Sequence, residues 1–148
     1  MNASGAGGAL APTDDASLLR ASLEKVADRE PELVRRVYAT LFRDHPEAEE
    51  LFGRYGEERQ AEMFGETLTS VLDLLDHEPW TPGHVAAMGH RHREAYGVPD
   101  EMYMWFSEAI VRALHDVLGE RWDADTEAAF RRGLQRVNAL MTGHAPST

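Results

Sequence analysis

The chain has 148 residues, 43% apolar and 28% charged, which is one domain's length in a folding composition able to bury about 70% of its unfolded surface. Against 26 Asp and Glu stand 15 Lys and Arg, a formal charge of −11 that repels nucleic-acid phosphates and anionic membrane surfaces. With no cysteine, disulfides, thiol catalysis and Cys-ligated metal clusters are excluded; no apolar run is long enough to span a bilayer, and Met1 to Pro12 lack the basic and apolar regions of a secretory signal, so a cytoplasmic location is expected.

Residues 1–13 are Gly, Ala and Ser with almost no charge, which reads as a flexible tail. Their glycines precede no Gly-Lys-Ser/Thr and follow no strand, so they are not a phosphate loop. The folded domain is expected over 14–143, with 144–148 a short tail. Asp14 or Asp15 can cap a first helix carrying Leu19, Leu23 and Val26. Pro31 suits the first turn of a second, with stripes Leu33/Val37/Leu41 and Val34/Tyr38/Phe42. Pro46 disfavours helix at His45 and ends it. A short turn over 46–51 leads to Phe52 and the loop Gly53-Arg54-Tyr55-Gly56.

A long helix is expected over about 58–76 with Met63, Phe64, Leu68, Val71, Leu72 and Leu75. Glu78-Pro79-Trp80-Thr81-Pro82-Gly83 breaks it. The next, about 82–95, is apolar only at Val85, Ala86, Ala87 and Met88, and stops at Tyr96-Gly97. Pro99 opens a helix with Met102, Phe106, Ile110 and Leu114 on one face. Asp123 to Asp125 caps the last, which carries Phe130, Leu134, Val137 and Met141. No segment alternates as a strand does. The fold class is therefore all-α. Unequal helices without sustained heptads predict crossed packing around something rather than an up-down bundle.

Common catalytic signatures are missing: there is no His-Glu-x-x-His, no Gly-x-Ser-x-Gly and no di-iron Glu-x-x-His pair. His90 and His92, two apart on a helix, point to different sides and cannot share one zinc ion. His92 follows Met88 by four residues and Val85 by seven, which puts it on the buried stripe. On pattern alone it is either a hydrogen-bonded core histidine or a ligand. Tyr38 and Gln60 also interrupt apolar stripes, and polar groups so placed need partners.

Taken in order, these residues resemble the bacterial single-domain globins and the haem domain of flavohaemoglobins, over about residues 17–142. Val37-Tyr38-x3-Phe42-x3-Pro46-Glu47-x4-Phe52 is similar to that family's second-helix tyrosine, helix-end phenylalanine, corner proline and haem-packing phenylalanine. Gln60 falls at its distal glutamine, and 32 residues later His92, within Met88-Gly89-x2-His92, falls at its proximal histidine. Tyr96-Gly97-Val98 and Asp100-Glu101-Met102-Tyr103 resemble its following corner and helix start. One departure stands out: His92 to Gly97 is five steps, where the family usually has four.

The resemblance implies a globin fold of six to eight crossed helices around haem b, held by His92 Nε2. A backbone carbonyl near Met88 or Gly89 is expected to fix the other ring nitrogen. Tyr103 and Asp125 would form an acidic relay behind the histidine. Tyr38 and Gln60 would point at the sixth coordination position and stabilise a polar diatomic ligand, slowing its release. Phe52 would lie flat on the porphyrin, with Phe42, Phe64, Leu68, Met88, Val98, Tyr103, Phe106 and Val137 as pocket walls. Arg91 and Arg93, with Arg59 as a further option, would meet the propionates.

The function expected from the resemblance is binding of dioxygen, nitric oxide and carbon monoxide. Slow release suits nitric oxide dioxygenation better than oxygen delivery. The sequence has no reductase segment, so that activity would need an external reductase. A second reading is a haem-free, globin-shaped interaction module. Among partners a homodimer is left open, while nucleic acid and membranes are not expected.

Overall fold

A computed structural model describes residues 14–143, so the expected tails at 1–13 and 144–148 lie outside the described residues. Seven α-helices follow one another there: α1 Asp15–Lys25, α2 Glu30–Asp44, α3 Glu49–Phe52, α4 Glu57–Leu75, α5 Thr81–Tyr96, α6 Glu101–Leu118 and α7 Ala124–Thr142. Short 3-10 turns occupy Ala27–Arg29, Pro46–Ala48 and Gly119–Arg121. Among the described residues there is no strand, and no helix is long and apolar enough to cross a membrane.

The boundaries have local causes. Asp14 accepts from the Ser17 amide at 2.8 Å, and Asp123 from the Thr126 amide at 2.8 Å, which satisfies donors that the first turns of α1 and α7 leave open. Pro31 and Pro82 sit in the first turns of α2 and α5, where a missing N–H costs nothing. Gly97 ends α5 in the left-handed region at φ 66°, a conformation glycine adopts without a Cβ penalty.

The stripes predicted from the sequence become the core. Leu33, Val37 and Leu41 of α2, Phe64 and Val71 of α4, Val85 of α5, Ile110 and Leu114 of α6, and Phe130 and Leu134 of α7 are all buried. α2 packs chiefly on α6, while α7 packs against α1, α4 and α5. Arginine pairs tie the outside together: Arg20 with Asp76, Arg132 with Asp15, Arg131 with Glu108, and Arg112 with Asp44. Exposed pairs of this kind add little beside the burial of the core.

Candidate functional site

α5 brings His92 to a half-buried position. Its Nδ1 lies 2.7 Å from the Met88 carbonyl oxygen, one turn earlier. A carbonyl can only accept, so that nitrogen carries a proton, and in the neutral ring Nε2 holds the lone pair. No described residue hydrogen-bonds Nε2. The ring of Tyr96 stands edge-on to the imidazole, 5.8 Å between centroids at 84°. All the residues from His92 to Tyr96 are helical, in the last turn of α5 before Gly97. Tyr96 itself is 57% exposed.

Tyr38, on α2, is buried beneath three phenylalanine rings: Phe42 at 6.0 Å, Phe52 at 5.8 Å and Phe106 at 5.6 Å. Burial pushes its phenol far above the ordinary range, so the hydroxyl keeps its proton. That hydroxyl donates to the Gln60 carbonyl oxygen at 3.1 Å. The Gln60 carboxamide donates in turn to the Phe52 carbonyl oxygen at 3.2 Å. Sequence reasoning brought Tyr38 and Gln60 to one place, and they are together here, each donating to a backbone carbonyl. Phe52 stacks on Phe106 at 6.0 Å and 15°.

The remaining wall residues divide by burial. Phe64, Leu68 and Val137 belong to the closed core. Phe42, Met88, Val98, Tyr103 and Phe106 pack against that core but stay half-buried, as Phe52 does. Arg91 is exposed on a groove of about 530 Å³ between α4 and α5, beside Met88 and His84. Arg59 pairs with Glu62 at 3.1 Å. Arg93 is occupied elsewhere, donating to the Met141 and Thr142 carbonyls at 3.2 and 3.4 Å.

The expected relay behind the histidine does not assemble. Asp125 is exposed in the first turn of α7. Tyr103 faces the far half of that helix, where Asn138 Nδ2 donates to its carbonyl at 3.4 Å and to Ser107 Oγ at 3.0 Å. Thirteen residues of helix separate positions 125 and 138, about 20 Å at 1.5 Å per residue. Burial raises the Tyr103 phenol, and the charges that act on it are Arg93 and Asp100. Two neighbours were missed in the sequence: Tyr96, visible as the residue four after His92, and Asn138, which carried no signal.

The chemistry of the site fits haem. Among the described residues no group of three or more His, Cys, Asp or Glu could hold a bare metal ion. A metal at His92 would therefore bring its other ligands with it, as a macrocycle does. Met88 one turn before His92, and the rings of Phe52 and Phe106 beside Tyr38, are half-buried apolar surface of the kind such a flat group would cover. No curated protein matches the chain. The globin family model matches residues 35–141, from the middle of α2 almost to the end of α7. With an all-helical architecture over the same span, the chain belongs to the globin family, whose members typically hold haem and bind diatomic gases.

Proposed function

We propose that this chain holds haem b through His92 Nε2 and binds dioxygen, nitric oxide and carbon monoxide on the side of Tyr38 and Gln60. The observation that carries the reading is the His92 imidazole, its Nδ1 engaged by Met88 at 2.7 Å and its Nε2 left without a partner. When held, haem supplies an iron centre that takes up a diatomic gas and exchanges one electron.

The chain's own residues do the rest. The Met88 carbonyl fixes the tautomer of His92 and makes Nε2 a better donor to a metal. Phe52 and Phe106, stacked beside Tyr38, offer an apolar wall that excludes water from a bound gas. Tyr38, kept protonated by burial, and Gln60 are the two donors for a polar diatomic. Their present bonds, at 3.1 and 3.2 Å, sit at or beyond the long end of the usual range, so exchanging them for a better acceptor costs little. Arg91 is the cation offered to the propionates.

Nitric oxide dioxygenation is the finer reading for such a donor-lined pocket. Nitric oxide and dioxygen together need one further electron to become nitrate. Turnover therefore requires an electron donor that restores the ferrous state. Absorption spectra of the ferric, ferrous and carbonmonoxy forms test the reading, for the parent and Tyr38→Phe. A parent that gives no Soret band with hemin would leave the haem-free interaction module. Mixing oxygenated ferrous protein with nitric oxide should yield nitrate and ferric protein within milliseconds if the dioxygenase reading holds.

A further inference from the structure

Two contacts pin the turn that carries His92 onto the end of α7. A Cβ on Gly89 would stand 2.1 Å from the Met141 carbonyl oxygen and 2.6 Å from its Cα. Only glycine lets the two backbones meet there. One turn later, Arg93 donates to the carbonyls of Met141 and Thr142 at 3.2 and 3.4 Å. The last turn of α7 has no basic residue of its own. Arg93 thus supplies, from another helix, the positive charge that a helix C-terminus favours. Gly89 precedes His92 by three residues and Arg93 follows it by one. Met88, whose carbonyl orients the imidazole, adjoins Gly89.

We propose that Arg93 is a positioning residue for His92: with Gly89 it clamps the turn Met88–Arg93 against the C-terminal carbonyls of α7, and the clamped turn sets the rotation of the imidazole. The clamp rests on the reading of His92 as the haem ligand, but it acts in the chain without haem as well. With the turn held, the Met88 carbonyl and Nδ1 stay in register, and Nε2 faces one direction. Without Arg93 the last turn of α5 loses its hydrogen bonds to α7, and the end of a helix is where opening starts. Both bonds leave one guanidinium nitrogen, Nη2, so a lysine ammonium, with the same charge and three donors, can restore the contact.

The test is the ¹⁵N shifts of the His92 imidazole in the haem-free chain, well above the ordinary histidine pKa, with amide hydrogen exchange over residues 89–97. The parent should show the Nδ1–H tautomer. Arg93→Ala should populate both tautomers and speed exchange across the segment about tenfold, the equivalent of about 1.4 kcal/mol. Arg93→Lys should stay close to the parent. Arg132→Ala breaks the exposed ion pair between the middle of α7 and Asp15; it should change stability little and leave the His92 shifts alone. In hemin-loaded ferrous protein, Arg93→Ala should shift and broaden the iron–histidine vibration. Parent-like shifts and exchange in Arg93→Ala would overturn the clamp, as would equal changes in Arg132→Ala. A parent without a Soret band would overturn the haem reading instead, and the imidazole comparison would still decide the clamp.

Discussion

The Tyr38 hydroxyl donates to the carbonyl oxygen of Gln60, 3.1 Å away and 22 residues further along the chain. The bond ties α2 to the first turns of α4, and the Gln60 carboxamide carries the tie on to Phe52. These two bonds hold both side chains against the backbone. Their replacement by a bond to a gas is what the proposed function asks of them.

Tyr38→Phe should destabilise the haem-free protein by about 0.5–1 kcal/mol at neutral pH, the low end for a hydrogen bond of this length. Its pH dependence is more diagnostic. The folded phenol titrates above its unfolded value, so the stability it contributes is complete below about pH 10 and is lost as pH rises toward the folded pKa. Urea denaturation at a series of alkaline pH values should show that loss in the parent and a flatter curve in Tyr38→Phe. Identical curves would mean that Tyr38 is not the buried phenol responsible.

In the haem-loaded protein, each distal donor removed should speed dioxygen release. Tyr38→Phe and Gln60→Leu should each raise the dissociation rate about five- to a hundredfold, from about 1–3 kcal/mol per bond. Carbon monoxide, a poorer acceptor, should respond less. Stopped-flow replacement of dioxygen by carbon monoxide measures the first rate, and displacement of carbon monoxide by nitric oxide the second. Equal effects on both gases would point to a change of access rather than loss of a donor.

Two glycines at helix crossings should differ in their tolerance of a methyl group. At Gly133 a Cβ would meet the Val71 Cγ1 at 2.6 Å, a side-chain atom inside a packed core that can move only a little. At Gly89 it would meet backbone, which cannot yield without moving α7. Gly133→Ala should cost about 1–3 kcal/mol and Gly89→Ala more, of the order of 4 kcal/mol or failure to fold. Thermal and urea unfolding rank the two.

Most of this architecture could be read from punctuation in the sequence. Pro31, Pro46 and Pro82, the caps Asp14 and Asp123, and Gly97 each fix a local backbone choice, and the helix ends fall within a residue or two of where they place them. The 3-10 turns at Ala27–Arg29 and Gly119–Arg121 were not visible, because nothing but the packing of neighbouring helices tightens them. The site was legible where one helix determines it: the pairing of His92 Nδ1 with Met88 is an i, i−4 relation. It was illegible where two helices must be docked first. Arg93 reads as a rim cation until α7 arrives and offers its carbonyls. Asp125 reads as a neighbour of Tyr103 only until the length of α7 separates them. The stack of His45 on Trp105, 4.1 Å and 7°, joins α2 to α6 and has no trace in sequence spacing.

Titration of the haem-free chain with hemin, followed by reduction under carbon monoxide, tests the role of His92 most directly when the parent, His92→Ala and His90→Ala are compared. The account predicts a saturable carbonmonoxy Soret band at one equivalent in the parent and in His90→Ala. In His92→Ala that spectrum should be lost, or restored only by added imidazole. A parent-like carbonmonoxy spectrum from His92→Ala would contradict it and move the axial ligand to another residue.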